Sequence, residues 1–477
     1  MFLGPVFQRE GVLAPRRSKL YLARTVYVMV LLILMCTAWL VVAGTQIIRN
    51  VGDMARFGAV LFQILAPLQL AMAVFGSAMV AASAVAQEKD RRTLILLLMT
   101  RMSNAELVLG KLFASLLSIF AMLVAALPVF MMVPLFGGVS FSQVLQAFLV
   151  TGAAALAAGS LGSTLALWRE KTFQSLAMTA LALVAWIGVW QALALLAPDR
   201  QFAGLSVERW VATFSPYAAI MTAARPSFAG DAMRFWDSGA VCFSLFALSS
   251  AVALNVWAIV RVRVWNPSRE LRLMAPERDE AKSIWGVEHD LAQGGAGASA
   301  DAAEAARAGH VDARLRASSA ATRRVWDNPI LWREVCTWAY GRKVLVIRFG
   351  YLFLFCMAAV GIVHSLAAGA SAHPADSLIP AAAFPLAPFC LVSLVLVNAL
   401  AVTSITNERD GQALDLLLVT DLSPREFLFG KLGGVFWVTK EMVLLPMLLA
   451  GYLWWQGDLT GENLIFVVGG LAVLYVF

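Results

Sequence analysis

Long runs without a charged residue, separated by short clusters of charge, set the pattern of this chain. The uncharged windows predict helices at Thr25–Ile48 and Phe57–Ala86. Leu112–Trp168 carries no charge over 57 residues. Pro134, Gly137 and Gly138 are expected to break it into two helices. Thr172–Pro198 and Ser238–Val260 follow, then, past a polar gap, Phe349–Ala375, Ser377–Asn407 and a span ending near Trp454 and Trp455. A last apolar run, Asn463–Phe477, is 15 residues long. About 20 apolar residues cross a bilayer as a helix, whereas barrel strands would alternate apolar and polar positions over about ten residues. The pattern therefore predicts an all-α polytopic membrane protein. The first run lacks a small-residue cleavage site and reads as an anchor.

Composition agrees, with 14% charged residues against roughly a quarter in soluble domains. The net charge of +7 then reflects topology rather than nucleic-acid binding. With the N-terminus inside, the outside loops hold Arg49, Arg56, Arg200, Arg209, Arg225 and Arg234, and the other 31 of the 37 Lys and Arg lie inside. The positive-inside rule favours this orientation. Five scattered cysteines offer no disulfide framework or metal pair and are expected to be buried in the core. His289, His310, His364 and His373 lack metal-ligand spacing. No catalytic constellation is legible, so the chain is read as not an enzyme.

One pattern occurs twice. Gln87–Lys111 reads QEKDRRTLILLLMTRMSNAELVLGK, and Asn407–Lys431 reads NERDGQALDLLLVTDLSPREFLFGK, with 11 of 25 positions identical at an offset of 320. A second echo precedes each first span, GPVFQRE at Gly4–Glu10 and NPILWRE at Asn328–Glu334, at an offset of 324. Both copies follow an outward and a returning span, so the repeats are parallel. The division is 1–260 for a first six-span repeat, 261–327 for a linker and 328–477 for a second repeat of three complete spans and part of a fourth. Residues 292–321, rich in Ala, Gly and Ser, predict a flexible cytoplasmic linker. By symmetry the second repeat is expected to be truncated; a natural gene end with a short final helix is the alternative.

Within the motif, Glu88 and Asp90 precede leucines at 94, 97 and 98, which share one helical face. Acids suit a helix N-terminus, and Ser103 with Glu106 has capping-box spacing. The expectation is a short amphipathic surface helix opened by these acids, a turn, and a new helix entering the membrane through Gly110 and Lys111. Such a helix can merely connect two spans, or it can dock a cytoplasmic partner.

The motif resembles the coupling-helix signature of ABC-2-type transporter permeases. The PxxxRE segment is similar to that family's amphipathic element at the membrane surface, and Phe214-Ser-Pro-Tyr217 is also similar to a segment of the family. What the resemblance implies is a permease subunit of the cell (inner) membrane, an exporter, that meets a cytoplasmic ABC ATPase subunit. Glu88, Asp90, Leu94, Leu97, Leu98 and Glu106, with Glu408, Asp410, Leu414, Leu417, Leu418 and Glu426, would make the contact. ATP and Mg would sit on that partner; this chain would bind no cofactor and has no GxxxxGK[ST] loop of its own. Membrane lipid and another permease chain are further expected partners, and nucleic acid is not.

Lys440 and Glu441 are the only charges inside an apolar-looking span, and they are candidates for a substrate pathway or for snorkelling to the interface. The alternatives to an ATP-driven permease are a secondary transporter driven by an ion gradient and a membrane scaffold without transport activity.

Overall fold

A computed structural model describes residues 4–13, 18–45, 51–91, 93–169, 171–197, 201–202, 204–225, 238–266, 325–336, 344–367, 386–410, 414, 417, 419 and 422–476. In chain order the helices are α1 (Gly4–Leu13), α2 (Ser18–Thr45), α3 (Val51–Asp90), α4 (Thr93–Met99), α5 (Asn104–Phe136), α6 (Phe141–Trp168), α7 (Thr172–Leu196), α8 (Val207–Phe214), α9 (Pro216–Ala224) and α10 (Gly239–Trp265). They continue as α11 (Pro329–Cys336), α12 (Val344–Ala367), α13 (Leu386–Asp410), α14 (Pro424–Trp455) and α15 (Gly461–Val476). A two-residue antiparallel ladder, Gln201–Phe202 with Leu205–Ser206, precedes α8. Among the described residues nine helices are long and apolar enough to cross a bilayer, and α15 is a shorter apolar helix. The chain is an all-α, multi-pass membrane protein. The expected linker at 292–321 lies outside the described residues.

The spans outrun their apolar windows. The 40 residues of α3 rise about 60 Å, twice the thickness of a hydrocarbon core. Its end therefore projects from the membrane, carrying Glu88 and Asp90 with it. These acids close α3 rather than opening the next helix, and Glu408 likewise lies in the last turn of α13, which ends at Asp410. The separate surface helix is only α4. The break within 112–168 also differs from expectation. Pro134 stays inside α5, and the turn is made by Gly137 and Gly138 at φ of 91° and 74°. A Cβ at Gly138 would lie 2.0 Å from the Ala55 carbonyl oxygen, so only glycine fits.

Two large apolar cores are joined by smaller clusters, one of them around Leu94. The first joins α2, α3, α5, α6, α9 and α10, with the buried alanines of α6 bringing that helix close to α3. The segment holding Phe214-Ser-Pro-Tyr217 joins two short helices: Ser215 caps α9, whose Ala219, Ile220 and Ala223 are buried in this core. The second core joins α12 to α15 with Phe173, Ala177 and Leu181 of α7. So α7 belongs by sequence to the first repeat and, with Leu183 buried in the first core, bridges it to the second.

Inside the second core, Pro446 removes the N–H that would bond the Met442 carbonyl in α14. Hydroxyls from neighbouring helices take its place. Tyr351 donates to that oxygen at 3.1 Å and Ser393 donates to it as well, while the Tyr475 hydroxyl lies 2.5 Å from Ser393 Oγ. The cysteines depart from expectation: Cys36 and Cys356 are exposed on the surface of the chain, and the other three are partly buried.

Candidate functional site

The end of the bundle that carries α1 and α11 gathers both copies of the repeated motif. Each copy starts its re-entering helix with the same cap. Ser103 Oγ accepts from the Glu106 amide at 3.2 Å, and Glu106 Oε2 accepts from the Ser103 amide at 2.9 Å. Ser423 and Glu426 repeat both distances at the start of α14. Glu106 and Glu426 thus act on their own helix termini, satisfying N–H groups that would otherwise lack partners.

Eight residues into each of these helices stands a buried lysine, Lys111 or Lys431. An ammonium removed from water needs a carboxylate, and an acid at a helix C-terminus opposes the macrodipole unless a cation lies near. Each problem answers the other. Lys111 pairs with Glu88 in the first copy. Lys431 lies 2.7 Å from Glu408 in the second. Sequence reasoning had assigned both acids outward; the structure turns them toward these lysines.

In the second copy α11, the counterpart of α1, contributes directly to the cluster. Glu334, buried to 1% side-chain exposure, places Oε1 2.7 Å from Lys431 Nζ, and Arg333 bonds both Glu334 and Glu408. Two carboxylates and two cations form a cluster of zero net charge. Burial acts to raise the Glu408 carboxyl, but its bonds to Lys431 and Arg333 hold it below the ordinary carboxylate range. Close backbone approach allows the cluster to form: a Cβ at Gly434 would lie 2.4 Å from the Glu334 Cβ. At the edge of the contact, Asn328 Oδ1 accepts from the Leu331 amide and Nδ2 donates to the Glu426 carbonyl at 2.9 Å. The equivalent residue in the first copy is Gly4, directly against the Glu106 side chain.

In the first copy, the end of α3 is fastened to three helices by three successive residues. Glu88 pairs with Lys111 of α5. Lys89 donates to the carbonyls of Leu167 and Arg169, closing the end of α6. Asp90 accepts from the Thr172 hydroxyl at the start of α7. Nearby, Asn104 of α5 donates to the Ile259 carbonyl and accepts from Arg263 at 2.8 Å, which ties in α10.

The short helix α4 hangs between α3 and α5. Leu94 is buried among Ala82, Val85, Leu107, Ala166 and Ala258, and Leu97 and Leu98 pack against the same cluster. The predicted leucine face is therefore the face that turns into the bundle. Leu96 and Met99 point the other way, 64% and 57% exposed, beside exposed Thr100 and Arg101. In the second copy Leu414 and Leu417 are half-buried, and Val419 is exposed. The Asp410 and Leu418 side chains lie outside what is described.

Lys440 and Glu441 do not enter this site. Lys440 lies over the Trp437 ring at 3.8 Å, and Glu441 is 3.8 Å from Arg348 of α12. Neither is buried. Among the described residues no group of His, Cys, Asp and Glu could hold a metal ion.

The Glu–Lys pairing was missed in the sequence although a signal existed: both members are among the positions identical in the two copies. No family model, no curated protein and no solved structure matches the chain significantly.

Proposed function

We propose that the chain is a transmembrane permease of the ABC-2 type that exports its substrate when a separate cytoplasmic ATPase acts on it. The observation that carries this reading is the geometry of α4. It is a platform of about two turns with apolar Leu96 and Met99 facing outward beside Arg101, while its other face is bolted to α3, α5, α6 and α10. Exposed apolar side chains next to charge, at the polar end of a membrane bundle, suit a protein partner better than lipid or water. A push on that platform would reach α5 through the Ser103 cap and α3 through the Glu88–Lys111 pair. The duplicated motif supports a second such platform around Leu414–Val419.

In this reading the partner binds ATP and Mg and closes on nucleotide, and the permease changes its membrane-facing state in response. The N-terminus and both motif copies are cytoplasmic, consistent with the distribution of Lys and Arg. The site residues are reassigned by role. Leu96, Met99 and Arg101 make the contact, whereas Glu88, Lys111, Glu408 and Lys431 hold the platform's supports.

The test is affinity purification of the tagged chain in mild detergent, with mass spectrometry of what co-purifies. A stoichiometric ATPase whose turnover changes when the permease is present supports the reading. Recovery of the chain without an ATPase, from cells expressing the neighbouring genes, overturns it.

A further inference from the structure

Lys440 is out of place in an apolar helix. It stands 16 residues after Pro424 and 15 before Trp455, at the midpoint of α14. Its level in the membrane follows from its neighbours. Arg348, five residues into the 24-residue α12, reaches the Val438 carbonyl at 3.1 Å and Glu441 at 3.8 Å. The four-residue step from Val344 to Arg348 rises about 6 Å, so this level is about 6 Å from the end of an apolar span of roughly bilayer thickness. Lys440 lies against Trp437, one turn back toward that end, as a lysine does when its ammonium reaches for the interface. Trp437 is 46% exposed on the outside of the bundle.

The charges there do not cancel. Glu441 faces Arg348, and among the described residues no carboxylate pairs with Lys440. One positive charge is left at the outer surface, and Arg348 Nε is buried without a hydrogen-bond partner. The first repeat lacks this arrangement. Arg24 holds the position of Arg348, but Phe120 and Ala121 stand where Lys440 and Glu441 do.

We propose that Lys440, Trp437 and Arg348 form a site for the phosphate of an anionic phospholipid, held at the α12–α14 surface with its acyl chains along the exposed Leu444 and Leu448. Phosphate at the interface would neutralise Lys440 without drawing it into the hydrocarbon, and tryptophan is favoured at that level. The site is independent of the transport reading.

Native mass spectrometry of the full chain in micelles doped equally with phosphatidylglycerol and phosphatidylcholine tests it. Retention of phosphatidylglycerol should exceed that of phosphatidylcholine about fivefold, the factor that about 1 kcal/mol per basic residue corresponds to. Lys440→Gln should bring the ratio close to one, and Lys440→Arg should preserve it. Arg24→Gln, at the equivalent position of the first repeat, should leave it unchanged. Equal retention of both lipids by the wild-type chain, or a preference that survives Lys440→Gln, overturns the proposal. So does full competition by glycerol phosphate, which would mark a site for free phosphate. If Lys440→Gln fails to fold, the wild-type chain still decides: the preference must weaken as salt is raised, and a salt-independent preference overturns it.

Discussion

Lys431 Nζ lies 2.7 Å from Glu408 Oε1, and the residues 320 positions earlier, Lys111 and Glu88, make the same pair in the other repeat. A buried lysine on the helix that re-enters the membrane is thus matched twice to an acid on the helix that leaves it. The shared geometry explains why these positions agree between the two copies.

Removing one member of such a pair leaves a charge without its partner in a poor solvent. Lys431→Met should destabilise the chain by about 3 to 5 kcal/mol, because Glu334 and Glu408 then face each other with only Arg333 between them. Lys431→Met combined with Glu334→Gln should recover part of the loss. Thermal unfolding in detergent, followed by the Tm of the single and double variants, measures both effects.

The cluster also fixes a pH dependence. The Glu408 carboxyl is held below its ordinary range in the folded chain. Its contribution is therefore fully present above the unfolded value of about 4.3 and is lost as pH falls through the lower folded value. Attachment of α11 to α14, followed by protease sensitivity of the α11 segment, should be constant from neutral pH down to the ordinary carboxylate range and weaken below it. Release of α11 between pH 6 and 8 would contradict the pairing.

Pro446 within α14 makes a compensating prediction. Ser393→Ala removes a donor from the Met442 carbonyl, which Pro446 leaves without its helical partner. The cost should be about 1 to 2 kcal/mol. In a Pro446→Ala background, where a backbone N–H is restored, the same change should cost much less. A double-mutant cycle on Tm reads the coupling, and additivity would contradict the account.

The two faces of α4 should respond differently to charge. Leu94→Arg places a cation among Ala82, Val85 and Leu107 and should prevent correct folding. Leu96→Arg should leave insertion and Tm unchanged and abolish ATPase co-purification. The comparison is made on detergent extracts by size-exclusion profile and pull-down.

Much of this fold was legible in the sequence, because a bilayer demands about 20 apolar residues per span and the chain supplies them in uninterrupted runs. What the apolar windows did not reveal was how far each helix continues beyond them. The Gln87–Asp90 segment suits either helix end by composition; the dipole argument favoured an N-terminus, and the C-terminal position is tolerated because Lys111 lies opposite. The leucines at 94, 97 and 98 defined a face correctly, but periodicity does not say whether a face turns to the bundle or away from it. That depends on Ala82 and Val85 of the preceding helix and on Ala258 of the distant α10. The Arg333 and Glu334 echo was visible as a repeat, and its purpose needed the tertiary contact with Lys431. α7 shows a further limit: its sequence lies within the first repeat, yet it packs against α12 and α13 as well as against α3 and α6.

The central claim is that the outer face of α4 meets a cytoplasmic ATPase. Photo-crosslinking from a benzoylphenylalanine at position 96, with position 94 as the inward control, tests it most directly. The account predicts capture of a Walker-type ATPase from position 96, none from position 94, and a crosslink yield that changes when ATP is added. Capture of no ATPase from position 96, in cells where the candidate partner is expressed, would contradict it.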